Sequence, residues 1–190
     1  AAGQTLIQIP FHINNEETVL TRSFPKKPFV PADEKARAQR CEEILTIQAM
    51  GLKKRLAHTN ARTAVVGISG GLDSTLALLV TAKAFDMLGR DKKDIIAVTM
   101  PCFGTTDRTY NNACEMTRKT GATLKEVPIA EAVNIHFRDI GQDPDNHDVT
   151  YENSQARERT QVLMDIANRT GGMVIGTGDM SELALGWATY

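Results

Sequence analysis

The chain has 190 residues, which is enough for one domain with a sizeable core. It carries 22 lysines and arginines against 23 aspartates and glutamates, so its net charge of −1 offers no basic footprint for nucleic acid. No apolar run approaches the ~20 residues of a membrane-spanning helix, and we expect neither nucleic acid nor a membrane as a partner.

Cysteine usage and the two ends of the chain bear on its compartment. The three cysteines are an odd number and form no Cys-x-x-Cys pair, which argues against a disulfide framework or a structural zinc site and favours a reducing cytoplasm. Residues 1–5 have neither the basic nor the apolar stretch of a signal peptide. The chain begins without methionine and stops inside an apolar stretch, so we interpret it as a piece of a longer polypeptide.

The first 32 residues are interrupted repeatedly by proline. We predict a linker or the tail of a preceding region there, with short strands at most at residues 6–9 and 18–20. Asp33 has the side chain of an N-cap, and the apolar stripe that follows it predicts a long helix to about His58. The predicted domain therefore covers residues 33–190.

From residue 62 onward, predicted strands alternate with predicted helices. The strands are expected at residues 64–68, 94–100, 123–127 and 173–175. The helices are expected at residues 74–88, 107–120, 130–139 and 151–170, with another from 181 and a loop at 139–148. This alternation predicts an α/β fold with a doubly wound parallel sheet and helices on both faces. Ligands lie beyond the carboxyl ends of such strands, so the loops after the first, second and fourth strands should meet in one crevice.

The turn after the first strand carries the strongest functional signal. Its two adjacent glycines permit a positive φ and let backbone N–H groups approach an anion, which the positive end of the following helix also favours. Ser69 and Ser74 add hydroxyls, and Asp73 adds a carboxylate suited to Mg²⁺. The turn lacks the P-loop lysine and does not complete Gly-x-Gly-x-x-Gly. We interpret it as a phosphate-binding turn formed by Gly67, Ile68, Ser69, Gly70, Gly71, Leu72, Asp73 and Ser74.

The string Ser-Gly-Gly-x-Asp-Ser resembles the PP-loop of the N-type ATP pyrophosphatases, which have the adenine nucleotide alpha hydrolase-like fold. Two further segments make the resemblance narrower. Residues 152–159 resemble the Asn-x-x-Ala-Arg-x-Arg helix of NAD synthetases, and residues 176–187 are similar to the Gly-Thr-Gly-Asp-x-Ser-Glu-Leu-Ala-Leu-Gly-Trp segment typical of the long, glutamine-dependent NAD synthetases. The resemblance covers about residues 64–190.

The resemblance implies ATP-dependent amidation of deamido-NAD to NAD through an adenylated intermediate, with release of AMP and pyrophosphate. It implies that the PP-loop residues and Thr177 bind ATP, and that Asp73 and Glu182 are the catalytic carboxylates that share Mg²⁺. Arg157 is expected to bind deamido-NAD. Ammonia is expected from glutamine, by way of a nitrilase-like glutaminase domain absent from this chain, and the protein is expected to self-associate as a homo-oligomer.

Other interpretations stay open at this point. Another PP-loop amidotransferase, such as one similar to GMP synthetase, would share the turn, and the chain as given could be a non-catalytic nucleotide-binding module. Asp73 could be a helix cap, Thr177 could cap a turn, and Glu182 could be a first-turn partner of the helix dipole. Arg157 and Arg159 could be charges on a solvated helix face.

Overall fold

The structure is a computed structural model that describes residues 7–14, 16–17, 19–104 and 106–187. The chain divides into two compact units, residues 1–39 and residues 40–190. The division falls inside the first helix, α1 (Glu34–Thr59). The predicted domain boundary at residue 33 stays a prediction. Across the described residues, no helix is both long enough and apolar enough to cross a membrane.

In the first unit, the described residues before α1 form no helix or strand. The short strands considered at residues 6–9 and 18–20 are therefore wrong where they are described, at 7–9 and 19–20; residues 6 and 18 lie outside the described residues. Proline cannot donate to a ladder, and an isolated strand pair is marginal in water. Asp33 is the N-cap of α1 as predicted, because its carboxylate accepts a hydrogen bond from the N–H of Ala36 at 2.7 Å.

The second unit is built on four parallel strands in the order β3-β2-β1-β4. The strands are β1 (Ala64–Gly67), β2 (Ile95–Thr99), β3 (Thr123–Glu126) and β4 (Met173–Ile175). The helices are α2 (Leu72–Leu88), α3 (Asp107–Thr120), α4 (Ala130–Ile140), α5 (Val149–Thr170) and α6 (Met180–Leu185), and a short 3₁₀ helix at Lys92–Asp94 precedes β2. The predicted alternation of strands and helices is confirmed.

Side chains of the central strands alternate between two cores. Ala64 and Val66 of β1 pack with apolar residues of α1, α2 and α3, including the fully buried Phe85. Val65, between them, points to the other face and packs with α4 and α5, including Phe137. Helices therefore cover both faces of the sheet, which is why the central strands read as continuous apolar runs rather than as an alternating pattern.

The strand order fixes where a ligand can bind. The chain moves from β1 outward to β2 and β3, then returns to β4 on the opposite side of β1. The switch point of the sheet therefore lies between the carboxyl ends of β1 and β4, where an open parallel sheet forms its crevice. The turn after β1 and the loop after β4 both start at this point.

Candidate functional site

The turn after β1 is shaped by one glycine of its pair. Gly70 has φ +81°, and a Cβ placed on it would lie 2.1 Å from the carbonyl oxygen of Thr109 in the first turn of α3. Gly71 has an extended backbone, with φ −88° and ψ 175°, and is the N-cap of α2. Gly70 therefore adopts the positive φ that the glycine pair permits, whereas Gly71 does not, because a helix N-cap has non-helical, usually extended, geometry.

The two serine hydroxyls hold the turn together. The Oγ atoms of Ser69 and Ser74 lie 3.1 Å apart, and the N–H of Gly71 donates to Ser69 Oγ at 3.2 Å. The Ser74 hydroxyl lies 3.2 Å from the carbonyl oxygen of Gly71 and donates to it, and this serine is buried. Both hydroxyls are thus engaged inside the turn, and their first effect is to fix its shape.

Backbone N–H groups are what the turn offers to an anion. The N–H groups of Leu72, Asp73 and Ser74 open the first turn of α2 and have no hydrogen-bond partner within the part of the chain that the structure describes. Such unsatisfied donors at the positive end of a helix form a ready anion site. Leu72 itself is 87% exposed, and it does not line the cavity into which this turn opens.

The two carboxylates predicted for the site have different local roles. Asp73 lies exposed in the first turn of α2, where Gly71 rather than Asp73 is the cap. Glu182 forms a capping box with Asp179: its Oε2 accepts from the N–H of Asp179 at 2.9 Å, and its own N–H donates to Asp179 Oδ1 at 2.8 Å. The cap of α6 is therefore Asp179, and Glu182 contributes to the helix start. The alternative that Thr177 caps a turn stays a prediction.

These groups share one cavity of about 640 Å³. This volume is within the usual range for small-molecule sites. Gly70 and Leu72, which were also expected to bind ATP, lie outside its lining. The lining residues are Gly67, Ile68, Ser69, Gly71, Asp73 and Ser74 from the β1 end, Thr99, Met100, Gly104, Thr109 and Tyr110 from β2 and α3, Arg159 and Leu163 from α5, and Thr177 and Glu182 after β4.

Tyr110, which lines the cavity, has a strongly raised pKa. Its hydroxyl donates to Glu126 Oε2 at 2.6 Å, from the last residue of β3. The hydrogen bond to the Glu126 carboxylate, with further contributions from Cys114, raises the pKa of Tyr110 to about 12. Tyr110 therefore stays a neutral donor at the cavity wall and links α3 to the end of an edge strand.

A family model described as NAD synthase matches residues 44–190. The chain belongs to the NAD synthase family. It is 46% identical over 175 residues to the glutamine-dependent NAD(+) synthetase of Mycobacterium leprae, in an alignment that covers 90% of this chain and 26% of that protein. The chain thus spans about a quarter of the length of the curated relatives it matches. The resemblance drawn from residues 67–74, 152–159 and 176–187 is confirmed.

Solved structures of the family agree with the fold. The structure of glutamine-dependent NAD+ synthetase from Acinetobacter baumannii in complex with adenosine diphosphate has a TM-score of 0.71 and 30% identity, and the match covers 78% of this chain and 28% of that one. The NH3-dependent NAD synthetase from Campylobacter jejuni has a TM-score of 0.67 at 24% identity, covering 78% of this chain and 61% of that one, and shows the same fold. The predicted doubly wound fold is confirmed.

Within this NAD synthase domain, the two arginines of the α5 motif lie on different sides of the helix. Arg157 is exposed and does not line the cavity, whereas Arg159 is half-buried and does. Residues two positions apart on a helix point about 200° away from each other around its axis. One motif arginine therefore faces the cavity while the other turns away from it. The expected role of Arg157 towards deamido-NAD stays a prediction. Arg159, Thr109 and Tyr110 were not predicted as site residues.

The carboxylates of the cavity suit Mg²⁺ held together with phosphates. The described residues contain no group of three or more histidine, cysteine, aspartate or glutamate side chains that could hold a metal alone. Magnesium is usually held by one or two carboxylates plus substrate phosphates rather than by an all-protein cage. Asp73 and Glu182 match that pattern, since both line the cavity and only Oε2 of Glu182 is engaged by the capping box.

A larger groove, of about 1400 Å³, lies between α2 and α3. Among the described residues, Gly71 lines both the groove and the cavity, and Gly70 and Leu72 of the turn line the groove alone. Three lysines on its walls, Lys83, Lys92 and Lys119, are already paired with acidic residues of the chain. It lacks the two carboxylates, the serine hydroxyls and Thr177. The predicted site residues Asp73, Thr177 and Glu182 line the smaller cavity instead.

Proposed function

We propose that the chain is the synthetase part of an enzyme that converts deamido-NAD to NAD by ATP-dependent amidation. The observation that carries the proposal is the single cavity at the β1–β4 switch point, which contains Asp73, Ser74, Thr177 and Glu182 in a chain of the NAD synthase family. The adenosine diphosphate in the Acinetobacter baumannii complex supports a nucleotide as the ligand.

The reaction has two half-reactions. A carboxylate oxygen of the nicotinate forms a bond to the α-phosphorus of ATP, and the bond from that phosphorus to the bridging oxygen breaks, so that pyrophosphate leaves with the electron pair. Ammonia then forms a bond to the acyl carbon, AMP leaves with the former carboxylate oxygen, and a proton is released. Adenylation is needed because a free carboxylate is a very poor acceptor for ammonia.

The residues of the chain act mainly by positioning and charge stabilisation. The free N–H groups at the start of α2 would bind phosphate oxygens of ATP, with Thr177 contacting the same ligand. Asp73 and Glu182 would hold Mg²⁺, which when bound supplies neutralisation of the phosphate charge. Arg157 would bind deamido-NAD, whose pyrophosphate and carboxylate suit a planar guanidinium. A carboxylate nucleophile is already ionised and needs no general base.

The test uses the full-length protein with deamido-NAD, Mg-ATP and ammonia. If the nicotinate carboxylate is labelled with heavy oxygen, one labelled oxygen should appear in the AMP, as mass spectrometry can detect. Asp73→Asn should lower turnover at least a hundredfold, because Mg²⁺ loses one of its two charged ligands. The matched control is Asp165→Asn, an exposed change on α5 that should leave turnover unchanged. Release of ADP and phosphate, or unlabelled AMP, would contradict the proposal.

Two alternatives are outcomes of the same assay. Turnover with xanthosine monophosphate in place of deamido-NAD would indicate an amidotransferase similar to GMP synthetase. Binding of Mg-ATP without any AMP, with every substrate present, would indicate a non-catalytic nucleotide-binding module.

We further propose that ammonia reaches the site from glutamine. The relatives from Mycobacterium leprae and Acinetobacter baumannii are named glutamine-dependent, which supports a glutaminase domain of the nitrilase-like type in the full-length protein. Glutamine should then replace ammonia in the assay, and a protein that uses ammonia alone would contradict this source. Self-association and a cytoplasmic location stay predictions, the former testable by sedimentation.

A further inference from the structure

Helix α5 passes close over the end of β1. A Cβ placed on Gly67, the last residue of β1, would lie 3.0 Å from Cδ1 of Leu163. The missing side chain at residue 67 therefore lets α5 sit directly against the strand end. Arg159 precedes Leu163 by four residues, so it lies on the same face of α5, one turn away. This spacing explains why Arg159 and Leu163 both line the cavity beside the turn after β1.

Arg159 is the sole cationic side chain among the described residues that line this cavity. The other two charged residues of the lining are Asp73 and Glu182, so the protein's own charges there sum to −1. Arg159 has neither a hydrogen bond nor an ion pair with another described residue, although it is half-buried. A partly desolvated guanidinium without a partner, beside the free N–H groups of a helix start, is well placed to bind an anion.

We propose that Arg159 binds the phosphate chain of the nucleotide and takes the place of the lysine that this turn lacks. The inference rests on the proposed function for the identity of the nucleotide, and on the cavity lining for the residue. ATP would otherwise bring several negative charges to a site whose own side chains are mainly acidic. A guanidinium also donates two parallel hydrogen bonds to phosphate oxygens, which a lysine cannot do.

The side of α5 distinguishes this role from the one expected for Arg157. Arg157 is exposed and lies about 200° away around the helix, so it cannot share the cavity with Arg159 without rotating α5. That rotation is blocked because the buried residues Ile166 and Ala167 of the same helix pack in the core with Val65. The two arginines therefore serve different ligands or different parts of one ligand.

The experiment measures binding of Mg-ATP and of magnesium pyrophosphate to the full-length protein by titration calorimetry. Arg159→Gln should weaken both ligands by about ten- to hundredfold, the range for loss of a charge-assisted contact. Arg159→Lys should recover part of the affinity, because it restores the charge without the planar fork. Without ligand, the thermal midpoint of Arg159→Gln should equal that of the wild type. The control is Arg169→Gln, an exposed change in the last turn of α5, which should change neither affinity.

Each result supports or overturns the assignment. Affinities of Arg159→Gln within twofold of wild type for both ligands would overturn it, as would an equal loss in the Arg169→Gln control. If Arg159→Gln does not fold, Arg159→Lys carries the test, and wild-type affinity in that variant would overturn the need for a planar fork and with it the proposal. A wild-type protein that produces no AMP but binds pyrophosphate through Arg159 would refute the proposed function and support this inference. A wild type that binds neither ligand would refute both.

Discussion

The conformation of Gly70 makes a sharp prediction for the turn after β1. A side chain at this position would have to adopt φ +81°, which costs an L-residue about 1–2 kcal/mol. Its Cβ would also lie 2.1 Å from the carbonyl oxygen of Thr109, whereas ordinary contact needs more than 3.4 Å. That oxygen belongs to the backbone at the start of α3, so it cannot move away as a side-chain tip would. Relief of the overlap adds about 1–3 kcal/mol.

The expected result for Gly70→Ala is therefore a loss of about 2–5 kcal/mol in the free energy of unfolding, the sum of those two costs. The turn must also shift by roughly 1 Å to clear Thr109, and a displacement of that size can lower a catalysed rate about a hundredfold. Stability is measured by urea unfolding, and turnover by AMP release, both on the full-length protein.

Gly71→Ala is the matched control for this prediction. Its backbone is already extended at φ −88°, and a Cβ there would lie 3.3 Å from Ser69 Oγ, the rotatable end of a short side chain. Alanine at that position also restricts the unfolded chain, which favours the folded state by about 0.4–1 kcal/mol. Stability should change by less than about 1 kcal/mol. If Gly70→Ala and Gly71→Ala proved equally stable and active, the geometry assigned to the turn would be wrong.

Three further predictions concern the frame of the site. Phe85→Ala should destabilise the protein by about 3–5 kcal/mol in urea unfolding, because this ring is fully buried in the core under α2, and a smaller loss would mean that the core collapses around it. Glu126→Gln should lower the pKa of Tyr110 from about 12 towards its ordinary value, which NMR of the tyrosine ring carbons can follow. In the wild type, the hydrogen bond to Glu126 should stabilise the fold fully below about pH 10, and this stabilisation should disappear as the pH rises through the pKa of Tyr110. Arg90→Ala should lower the thermal midpoint, with a cost of about 1.5–3 kcal/mol, since Arg90 donates to two backbone carbonyls just before β1 and stacks on the Phe85 ring at 4.6 Å; an unchanged midpoint would contradict those contacts.

Much of the fold follows from local sequence signals, and two of the errors lie at helix starts. The predicted start of α2 at residue 74 is two residues late, because Gly71 caps the helix with its backbone and no side-chain signal marks it. The predicted start of α5 at 151 is also two residues late. Asp148 accepts from the N–H groups of Thr150 and Tyr151 at 2.8 and 3.1 Å, which begins the helix at Val149. That cap was hidden inside a segment interpreted as loop.

The candidate site was predictable where motif residues follow a strand, and less so where they lie on a helix. The turn after β1 and Glu182 after β4 reach the cavity because the parallel strands end at one edge. The α5 motif contains two arginines, and the motif by itself does not say which one faces the sheet. The contact of Leu163 with the position of Gly67 decides it, because that contact fixes the rotation of α5. A helical-wheel comparison of Arg159 with Leu163 could have found the same answer.

The hydrogen bonds of the site divide its groups into two classes. Ser69, Ser74 and one oxygen of Glu182 are engaged inside the chain, so the turn and the start of α6 have their shape before any ligand arrives. The Asp73 carboxylate and the Arg159 guanidinium have no such partners within the described residues, nor do the first N–H groups of α2. The free groups comprise an anion, a cation and neutral donors, so a ligand that carries both phosphate and a bound divalent cation would satisfy all of them. Mg-ATP has this composition, and a phosphate or a metal ion alone would leave at least one charge in the cavity unpaired.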